Sequence, residues 1–239
     1  MYLKYILLFL IISSSTQATA LEANLAAEDN WPPYSTHELM GISQTIIKKA
    51  FEISGIKVKF TSYPYARAQK NLLSGTVDGF FSVSKQPSTI AKFHFGKEPL
   101  FKAHASFLYN KKMKANFSNL KDIPKGTTLI LVRGFEYGKD FEKYKKNFEL
   151  EYVDNQTQII SMLTNGRPAI SIMYDKVLKY YLKKKPTLEN IIKKKPSHIS
   201  HIYVAFNKES PKSKVLSKKL DQGLKKFKNT NIYKSLLDL

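Results

Sequence analysis

The sequence predicts a two-lobed α/β protein in which each lobe is a mostly parallel sheet flanked by helices. Three observations predict it: strands and helices alternate along the chain, several strands are buried apolar runs, and the two halves show a similar order of elements. A last strand and helix, over residues 201–227, follow a second half that already has strands of its own. One economical arrangement returns this segment to the first lobe and leaves a cleft between the lobes, where small ligands tend to bind.

The first twenty residues have the pattern of a cleavable signal peptide. Lys4 precedes an apolar run, and a serine-rich stretch then ends in the small-residue cleavage site Ala18-Thr19-Ala20. The apolar run is shorter than the roughly 20 residues that a membrane-spanning helix needs. We therefore expect export of a soluble protein, to the periplasm if the source is a two-membrane bacterium. A buried N-terminal helix is the alternative.

The composition is that of a packed and strongly basic protein. Hydrophobic residues make up 43% of the chain, the formal net charge is +20, and there is no cysteine for a disulfide or a lipid anchor. The lysine runs at 183–185 and 193–195 flank Pro186 and Pro196, and we interpret them as solvated connecting segments. Basic residues are not interleaved with stacking aromatics in a known module, which disfavours a nucleic-acid partner. Attraction to anionic membrane surfaces or acidic partners stays open.

The first half predicts a βαβαβ series, which is typical of a mostly parallel sheet. A short strand over 21–27 is followed by apolar residues at helical spacing from Ile42 to Phe51, with Gly55 in the position of a C-terminal cap. The remaining predicted elements are a strand over 56–60, a helix that Pro64 opens and Gly75 ends, and a buried strand over 77–83.

The second half repeats this order of elements. Strands are predicted over 128–132, 148–153 and 169–174, and Asn155 is a suitable N-cap for a helix that Gly166 ends. A strand over 201–206 and an amphipathic helix over 215–227 complete the chain.

A series of short motifs resembles the periplasmic solute-binding proteins of family 3, the polar amino-acid type that serves ABC transporters. The motifs are "WPPYS", "YPYARA", "SGTVDGFFSVSKQP", "FHFGKEPLF", "VRGFEYG", "NGRPAISIMYDK" and "IYVAF", and together they cover essentially the whole chain after residue 20. The resemblance implies a type II periplasmic binding protein fold with a hinge between lobes. Lobe 1 would comprise residues 21–110 and 200–239, and lobe 2 residues 111–199. It further implies a monomer that captures a small-molecule ligand and delivers it to a membrane ABC permease.

The aromatic loop after the first strand is the first candidate ligand contact. In the family an aromatic residue here stacks on the ligand, and Trp31 and Tyr34 occupy this place. Prolines stiffen the loop, and an aromatic face offers a large contact area or a cation–π surface. The alternative is that Trp31 fills the core of the first lobe.

Two further candidate positions lie on the first predicted lobe. Tyr65 and Arg67 in "YPYARA" open a helix, and a guanidinium at a cleft wall can hold a carboxylate bidentately; a surface ion pair is the alternative for Arg67. Ser82, Ser84 and Lys85 follow at the end of the next strand as polar contacts.

One position departs from the amino-acid binders of the family. Thr89 stands where those proteins have the arginine that holds the ligand's α-carboxylate. Recognition of an α-amino acid by the usual clamp would therefore require Arg67, Lys85 or Arg133 to take over that role.

The second lobe supplies the remaining candidates. Arg133, Gly134 and Phe135 follow a strand, and backbone N–H groups there suit an anionic ligand group. Asp175 ends the strand in "AISIMYD" and matches the position from which family members hold a ligand amine; the alternative is that it caps the following helix.

No motif indicates a cofactor, a metal or a common hydrolase or nucleotide-binding site. His198 and His201 are three apart, but Pro196 and the predicted strand argue against a helix that would place both on one metal. A cleft enzyme resembling the dehydratases of this fold is the main alternative function, with Glu38, His94, Glu136 and Asp175 as its candidate acids and bases. A ligand sensor for a membrane partner is the other alternative.

Overall fold

The computed structural model describes residues 21–238, in which two groups of parallel strands are joined by a pair of long antiparallel strands. The first group and its helices are β1 (Glu22–Glu28), α1 (Ile42–Ile53), β4 (Lys57–Tyr63), α2 (Tyr65–Leu73) and β5 (Gly79–Ser84). Short elements complete this half: β2 (Asn30–Trp31), β3 (Ser35–Thr36), α3 (Pro87–Ile90) and β6 (Phe93–Phe95).

The second group follows the long strand β7 (Phe101–Asn110). Its elements are β8 (Thr128–Val132), α4 (Gly138–Tyr144), β9 (Glu149–Val153), α5 (Gln156–Thr164), β10 (Ala169–Tyr174) and α6 (Asp175–Lys184). The chain then enters the second long strand, β11 (Ile192–Asn207), and ends with α7 (Lys212–Phe227) and α8 (Asn231–Asp238). Short 3₁₀ turns cover Leu120–Asp122, Lys145–Asn147 and Pro186–Asn190.

The sheet order is β4-β1-β5-β11-β7-β10-β8-β9, with β6 also paired to β11. Strands β4, β1 and β5 pair in parallel at one end, and β10, β8 and β9 pair in parallel at the other. Strands β7 and β11 are antiparallel to each other and link the two ends. We refer to the β4-β1-β5 end as the first lobe and to the β10-β8-β9 end as the second. The predicted mixed α/β architecture of mostly parallel strands is confirmed.

Local signals in the sequence account for most of the elements. The Asn155 side chain caps α5 by accepting a hydrogen bond from the backbone N–H of Gln158. In return, the backbone N–H of Asn155 donates to the side-chain oxygen of Gln158. Helix α1 buries Ile46, Ile47 and Phe51 on one face, as their spacing predicts. The strands over 128–132 and 169–174 have the predicted bounds.

The interpretation of the two lysine runs as connecting segments is wrong. Residues 193–195 lie within β11, and Lys183 and Lys184 form the last turn of α6. Strand β11 accommodates Pro196 because its register with β7 shifts between Pro196 and His198. Such an irregularity tolerates a residue that has no N–H for the ladder.

Helices α1 and α7 pack unusually closely in the first lobe. A Cβ atom added at Gly223 of α7 would lie 1.8 Å from the carbonyl oxygen of Ala50 of α1. Only glycine permits this approach. The contact holds α7 against the first lobe, to which the sequence predicts that the late helix returns. Within residues 21–238, none of the helices has the length and apolar character needed to cross a membrane.

Candidate functional site

A small cavity of about 10 Å³ lies where the two lobes meet. This volume holds about one water molecule. The first lobe contributes the ends of β1 and β5, the aromatic loop and the start of α2, and the second lobe contributes the segment after β8 and the end of β10. The lining residues are Glu28, Trp31, Tyr65, Ser82, Ser84, Phe135, Glu136 and Tyr174.

Glu136 joins the two lobes across this cavity. Its Oε2 accepts a 2.6 Å hydrogen bond from the Tyr65 hydroxyl and a 3.3 Å bond from the backbone N–H of Ser84. The Gln69 amide donates at 3.2 Å to Oε1 of the same carboxyl and at 3.3 Å to the carbonyl oxygen of Gly134. Every donor lies on the first lobe, so this one carboxyl of the second lobe is the principal polar contact that closes the cleft.

Burial raises the pKa of Glu136 to about 7, against the opposing effect of the hydrogen bonds from Tyr65 and Ser84. The carboxyl therefore changes charge near neutral pH. A group with this property, placed in a cleft, is a common mark of a functional site.

Glu28 is the second carboxyl of the cavity and is 3% exposed. Burial raises its pKa well above the ordinary range, and the nearby carboxyls of Asp29 and Glu136 raise it further. The Ser82 hydroxyl lies beside it and acts in the opposite direction. Two acidic groups thus line the same small cavity.

Aromatic rings form one wall of the cavity. The Trp31 ring stacks on Tyr34 with centroids 4.3 Å apart and meets Tyr174 edge-on at 5.3 Å. Tyr34 in turn stacks on Phe101 at 4.7 Å. The Trp31 indole N–H is buried and has no hydrogen-bond partner among the described residues, which leaves a donor for a water or a ligand. Trp31 is therefore buried, as the core-filling alternative expects, and it also lines the cavity, so its contact with a ligand stays a prediction.

Ser82 carries an unusual backbone conformation in this wall. Its φ is +76°, although it lies inside β5. A non-glycine residue in this region is strained, and such strain tends to occur at functional sites. The register of β5 with β11 also shifts opposite this part of the strand, between Tyr203 and Val204.

Thr89 does not take over the role of the arginine that holds the ligand carboxylate in the amino-acid binders. Its hydroxyl lies 2.7 Å from the carbonyl oxygen of Ser84 and 3.0 Å from that of Gln86, and it accepts from the Gln86 N–H at 3.0 Å. The side chain is thus used to build the turn around α3. No positive charge is present at this position.

Two larger hollows flank the cavity between the lobes. One, of about 500 Å³, is lined in part by Ser84 and Lys85; the other, of about 440 Å³, by Arg133, Gly134, Phe135 and Glu136. Gly134 adopts φ +85°, which favours glycine, and its carbonyl faces the Gln69 amide of the first lobe.

The basic candidates in these hollows already have partners. Lys85 reaches the Gly96 carbonyl at 3.3 Å and lies over the Tyr203 ring. Arg133 is exposed, 3.6 Å from Asp154, and lies over the Tyr152 ring. Neither side chain lines the small cavity.

Two other predicted contacts lie apart from the cavity. Arg67 is exposed on α2 and lines neither the cavity nor the two hollows. Asp175 is the first residue of α6, where its Oδ1 accepts from the Ser106 hydroxyl at 2.7 Å and from Lys194 at 3.0 Å. Its carboxylate lines a separate hollow of about 370 Å³. Asp175 is therefore not the N-cap of α6, which is Tyr174, and its carboxylate instead joins α6 to side chains of β7 and β11.

Two more of the predicted acid and base candidates lie away from the cavity. Glu38 is exposed, and His94 Nε2 lies 2.9 Å from the Ser217 hydroxyl on α7. Of the four, only Glu136 reaches the cavity.

The sequence interpretation missed two cavity residues, Glu28 and Tyr174. Glu28 is a charged residue at the end of an otherwise buried strand, directly before the aromatic loop. That contrast is a signal that could have identified it, because charged residues are seldom buried without a partner.

Comparisons with known proteins agree with this architecture. An ancestral arginine-binding protein bound to arginine has a TM-score of 0.75 at 20% identity, covering 91% of this chain and 96% of that one. The amino acid ABC transporter substrate-binding protein AbpA of Streptococcus pneumoniae, bound to L-arginine, has a TM-score of 0.73 at 16% identity, covering 91% and 93%. A histidine kinase sensor domain similar to periplasmic binding proteins has a TM-score of 0.76 at 16% identity, covering 91% and 94%. At these identities the likeness shows the fold.

No curated protein matches the sequence. A family model does match it, over residues 24–238, which is nearly all of the part that the structure describes. With its two lobes and the cleft between them, the chain belongs to the bacterial extracellular solute-binding proteins, family 3.

Proposed function

We propose that this protein is an extracytoplasmic solute-binding protein that captures a small polar ligand in the cleft and delivers it to a membrane ABC permease. Residues 1–20, which lie outside the described residues, would act as the signal peptide that directs export to the periplasm. The lobes would divide as the sequence indicates, with 21–110 and 200–239 in one and 111–199 in the other, and the protein would act as a monomer.

The observation that carries this proposal is the cavity itself. It takes residues from both lobes, and the hydrogen bonds around Glu136 cross from one lobe to the other. A ligand that entered here would contact both lobes at once, so its binding energy would favour the closed arrangement. Trp31, Tyr65, Ser82, Ser84 and Phe135 would be its contacts among the residues predicted from sequence, with Tyr34 supporting Trp31 from behind.

The similar solved structures support the same class of ligand. Two of them are bound to arginine, and one of these is a substrate-binding protein of an amino acid ABC transporter. An amino acid or a related polar compound is therefore the first class to test.

Native mass spectrometry of the exported protein tests the proposal directly. We expect a co-purified small molecule, or saturable binding of a compound from a panel of amino acids, organic acids and amines in thermal-shift assays. A ligand at about 100 times its dissociation constant should stabilise the protein by about 2.7 kcal/mol. A protein that bound none of these compounds, or bound them equally well after Trp31→Ala, would contradict the proposed site.

One observation favours a second candidate, an enzyme that acts in the cleft. Glu136, with its pKa raised to about 7, has the property of a general acid or base, and one similar structure is an ancestral amino acid-binding protein described as a precursor of cyclohexadienyl dehydratase. Mass spectrometry of the recovered ligand after incubation distinguishes the two functions, because a binding protein returns the compound unchanged. A sensor role would instead require a membrane partner that responds to the liganded form.

A further inference from the structure

We propose that the cleft cavity binds the cationic ammonium-type group of a small ligand between Glu28 and Glu136. The inference rests on the proposed solute-binding function and adds the chemical class of the ligand.

The charge of the cavity is the first argument. Its lining contains two carboxyl groups and no lysine, arginine or histidine. Across residues 21–238, neither Glu28 nor Glu136 forms an ion pair with a basic side chain. Buried carboxylates without a counter-charge are costly. A ligand cation would supply the charge that the protein itself does not provide.

The aromatic rings are the second argument. Trp31, Tyr65, Phe135 and Tyr174 line the same cavity as the two carboxyls. The faces of such rings attract cations, and aromatic cages are a known means of holding ammonium groups. The Tyr65 and Phe135 rings lie 4.8 Å apart, one from each lobe, so the cage is completed only when the lobes meet.

The available space is the third argument. The cavity holds about one water molecule, which is comparable to the size of a primary ammonium group. Phe135 and Glu136 also line the adjoining hollow of about 440 Å³, which offers room for the rest of a ligand. A bulkier cationic group would require the lobes to separate slightly.

The cavity offers fewer suitable groups for an anionic ligand group than for a cationic one. Thr89 is used within its own turn, and Arg67, Lys85 and Arg133 do not line the cavity. Of the donors at the cavity, those of Tyr65 and Ser84 are already bound to the Glu136 carboxyl, which leaves the uncharged indole N–H of Trp31. A ligand carboxylate would have to displace Glu136 and would then lie close to Glu28.

The pKa directions of the two acids agree with this picture. Burial raises the pKa of both Glu28 and Glu136, and Asp29 raises that of Glu28 further, whereas the hydrogen bond from Tyr65 and the more distant Lys92 only partly lower that of Glu136. A proton can therefore occupy the site when no cation does. Binding of a cation would release it, and affinity would rise with pH through neutrality.

The experiment compares three cations with neutral molecules of the same shape. Binding of putrescine, choline and L-arginine would be measured by thermal shift and calorimetry. Putrescine is compared with the corresponding diol, choline with its dimethylbutanol isostere, and L-arginine with L-citrulline, which loses only the guanidinium charge and keeps the α-ammonium group. We expect at least one cation to bind and its counterpart to bind at least about tenfold more weakly, the size expected for a buried charge pair.

Charge-removing variants locate the effect. Glu136→Gln and Glu28→Gln should each weaken cation binding at least about tenfold. Glu52→Gln removes the same charge from an exposed residue that is paired with Lys49 and lines neither the cavity nor the two hollows, and it should leave cation binding unchanged. If the buried Glu28→Gln variant does not fold, the Glu136→Gln variant, at a partly exposed position, still decides the question.

The outcomes separate this inference from the proposed function. If no cation binds, or cations bind the Glu136→Gln variant as tightly as the wild type, the ligand class is overturned. If an organic acid or a neutral compound binds in place of the cations, the ligand class is overturned while the solute-binding function stands. If no compound from any class binds, both fail.

Discussion

The Tyr65 hydroxyl of the first lobe donates a 2.6 Å hydrogen bond to Oε2 of Glu136 in the second lobe, although the two residues are 71 positions apart. The bond has a partly buried carboxyl as its acceptor and lies at the edge of the cleft cavity. It therefore contributes both to stability and to the closed arrangement of the lobes.

Removing this hydroxyl gives the first prediction. Tyr65→Phe should lower the free energy of unfolding by about 2 kcal/mol near pH 8, because a hydrogen bond to a charged group contributes about 1.5–3 kcal/mol. Urea denaturation followed by circular dichroism measures the change. Tyr63→Phe, at the end of β4 and outside the cavity, is the matched control. Equal losses in the two variants would show that the cross-cleft bond contributes nothing specific.

The second prediction concerns pH. Burial raises the pKa of Glu136 from the ordinary 4.5 to about 7. A group whose pKa is raised on folding adds stability that is fully present below its unfolded pKa and is lost as the pH rises through its folded pKa. The difference in unfolding free energy between wild type and Glu136→Gln should thus fall by about 2 kcal/mol from about pH 5 to about pH 8.

Denaturant melts at several pH values test this difference in the absence of ligand. Glu142→Gln should give a difference from wild type that stays nearly constant over the same interval, since this residue is exposed and lies outside the cavity. A rising difference for Glu136→Gln would mean that the carboxyl is better stabilised in the folded state than its surroundings indicate.

The single tryptophan of the chain supplies the third prediction. Trp31 is 1% exposed, stacks on Tyr34 and lines the cavity. Opening of the cleft should expose its ring, so acrylamide quenching of the fluorescence should increase in Tyr65→Phe and decrease when a ligand closes the cleft. A ligand that raised the melting temperature without changing the quenching would bind elsewhere.

The fourth prediction tests the packing of α1 on α7. Gly223→Ala would place a Cβ atom 1.8 Å from the Ala50 carbonyl oxygen, so the two helices would have to separate. We expect a loss of about 2 kcal/mol or more in unfolding free energy, in the range known for overpacked cores. Gln222→Ala, at the exposed neighbouring position, should change stability by less than about 0.5 kcal/mol.

Local sequence signals accounted for most of the fold. The Asn155 cap, the spacing of Ile46 and Phe51, and the glycines that end helices act within a few residues, so their effect can be read from the chain alone. The lysine run at 193–195 was misinterpreted because its strand is defined by pairing with β7. Lys193 lies opposite Tyr109, which is 84 positions away in the chain. Long-range pairing of this kind leaves little local signal.

The candidate site was predictable only in part. Five of the residues that the motifs singled out line the cavity. They come from the aromatic loop, the start of α2, the last residues of β5 and the segment after β8: Trp31, Tyr65, Ser82, Ser84 and Phe135. Asp175 comes directly after β10, yet its carboxylate accepts hydrogen bonds from Ser106 and Lys194 and does not line the cavity. The direction in which a side chain leaves a strand end depends on its partners in space, which the sequence order alone does not supply.

The paired strands β7 and β11 link the two lobes. Their ladder runs from Phe101 opposite Ile202 to Asn110 opposite Ile192, with one irregularity between Pro196 and His198. Because a hydrogen-bonded ribbon resists shear more than bending, we expect the lobes to move along essentially one angular coordinate. Ligands of different size would then give different angles between the two lobes. A membrane partner could distinguish occupied from empty protein by this angle, without contacting the ligand.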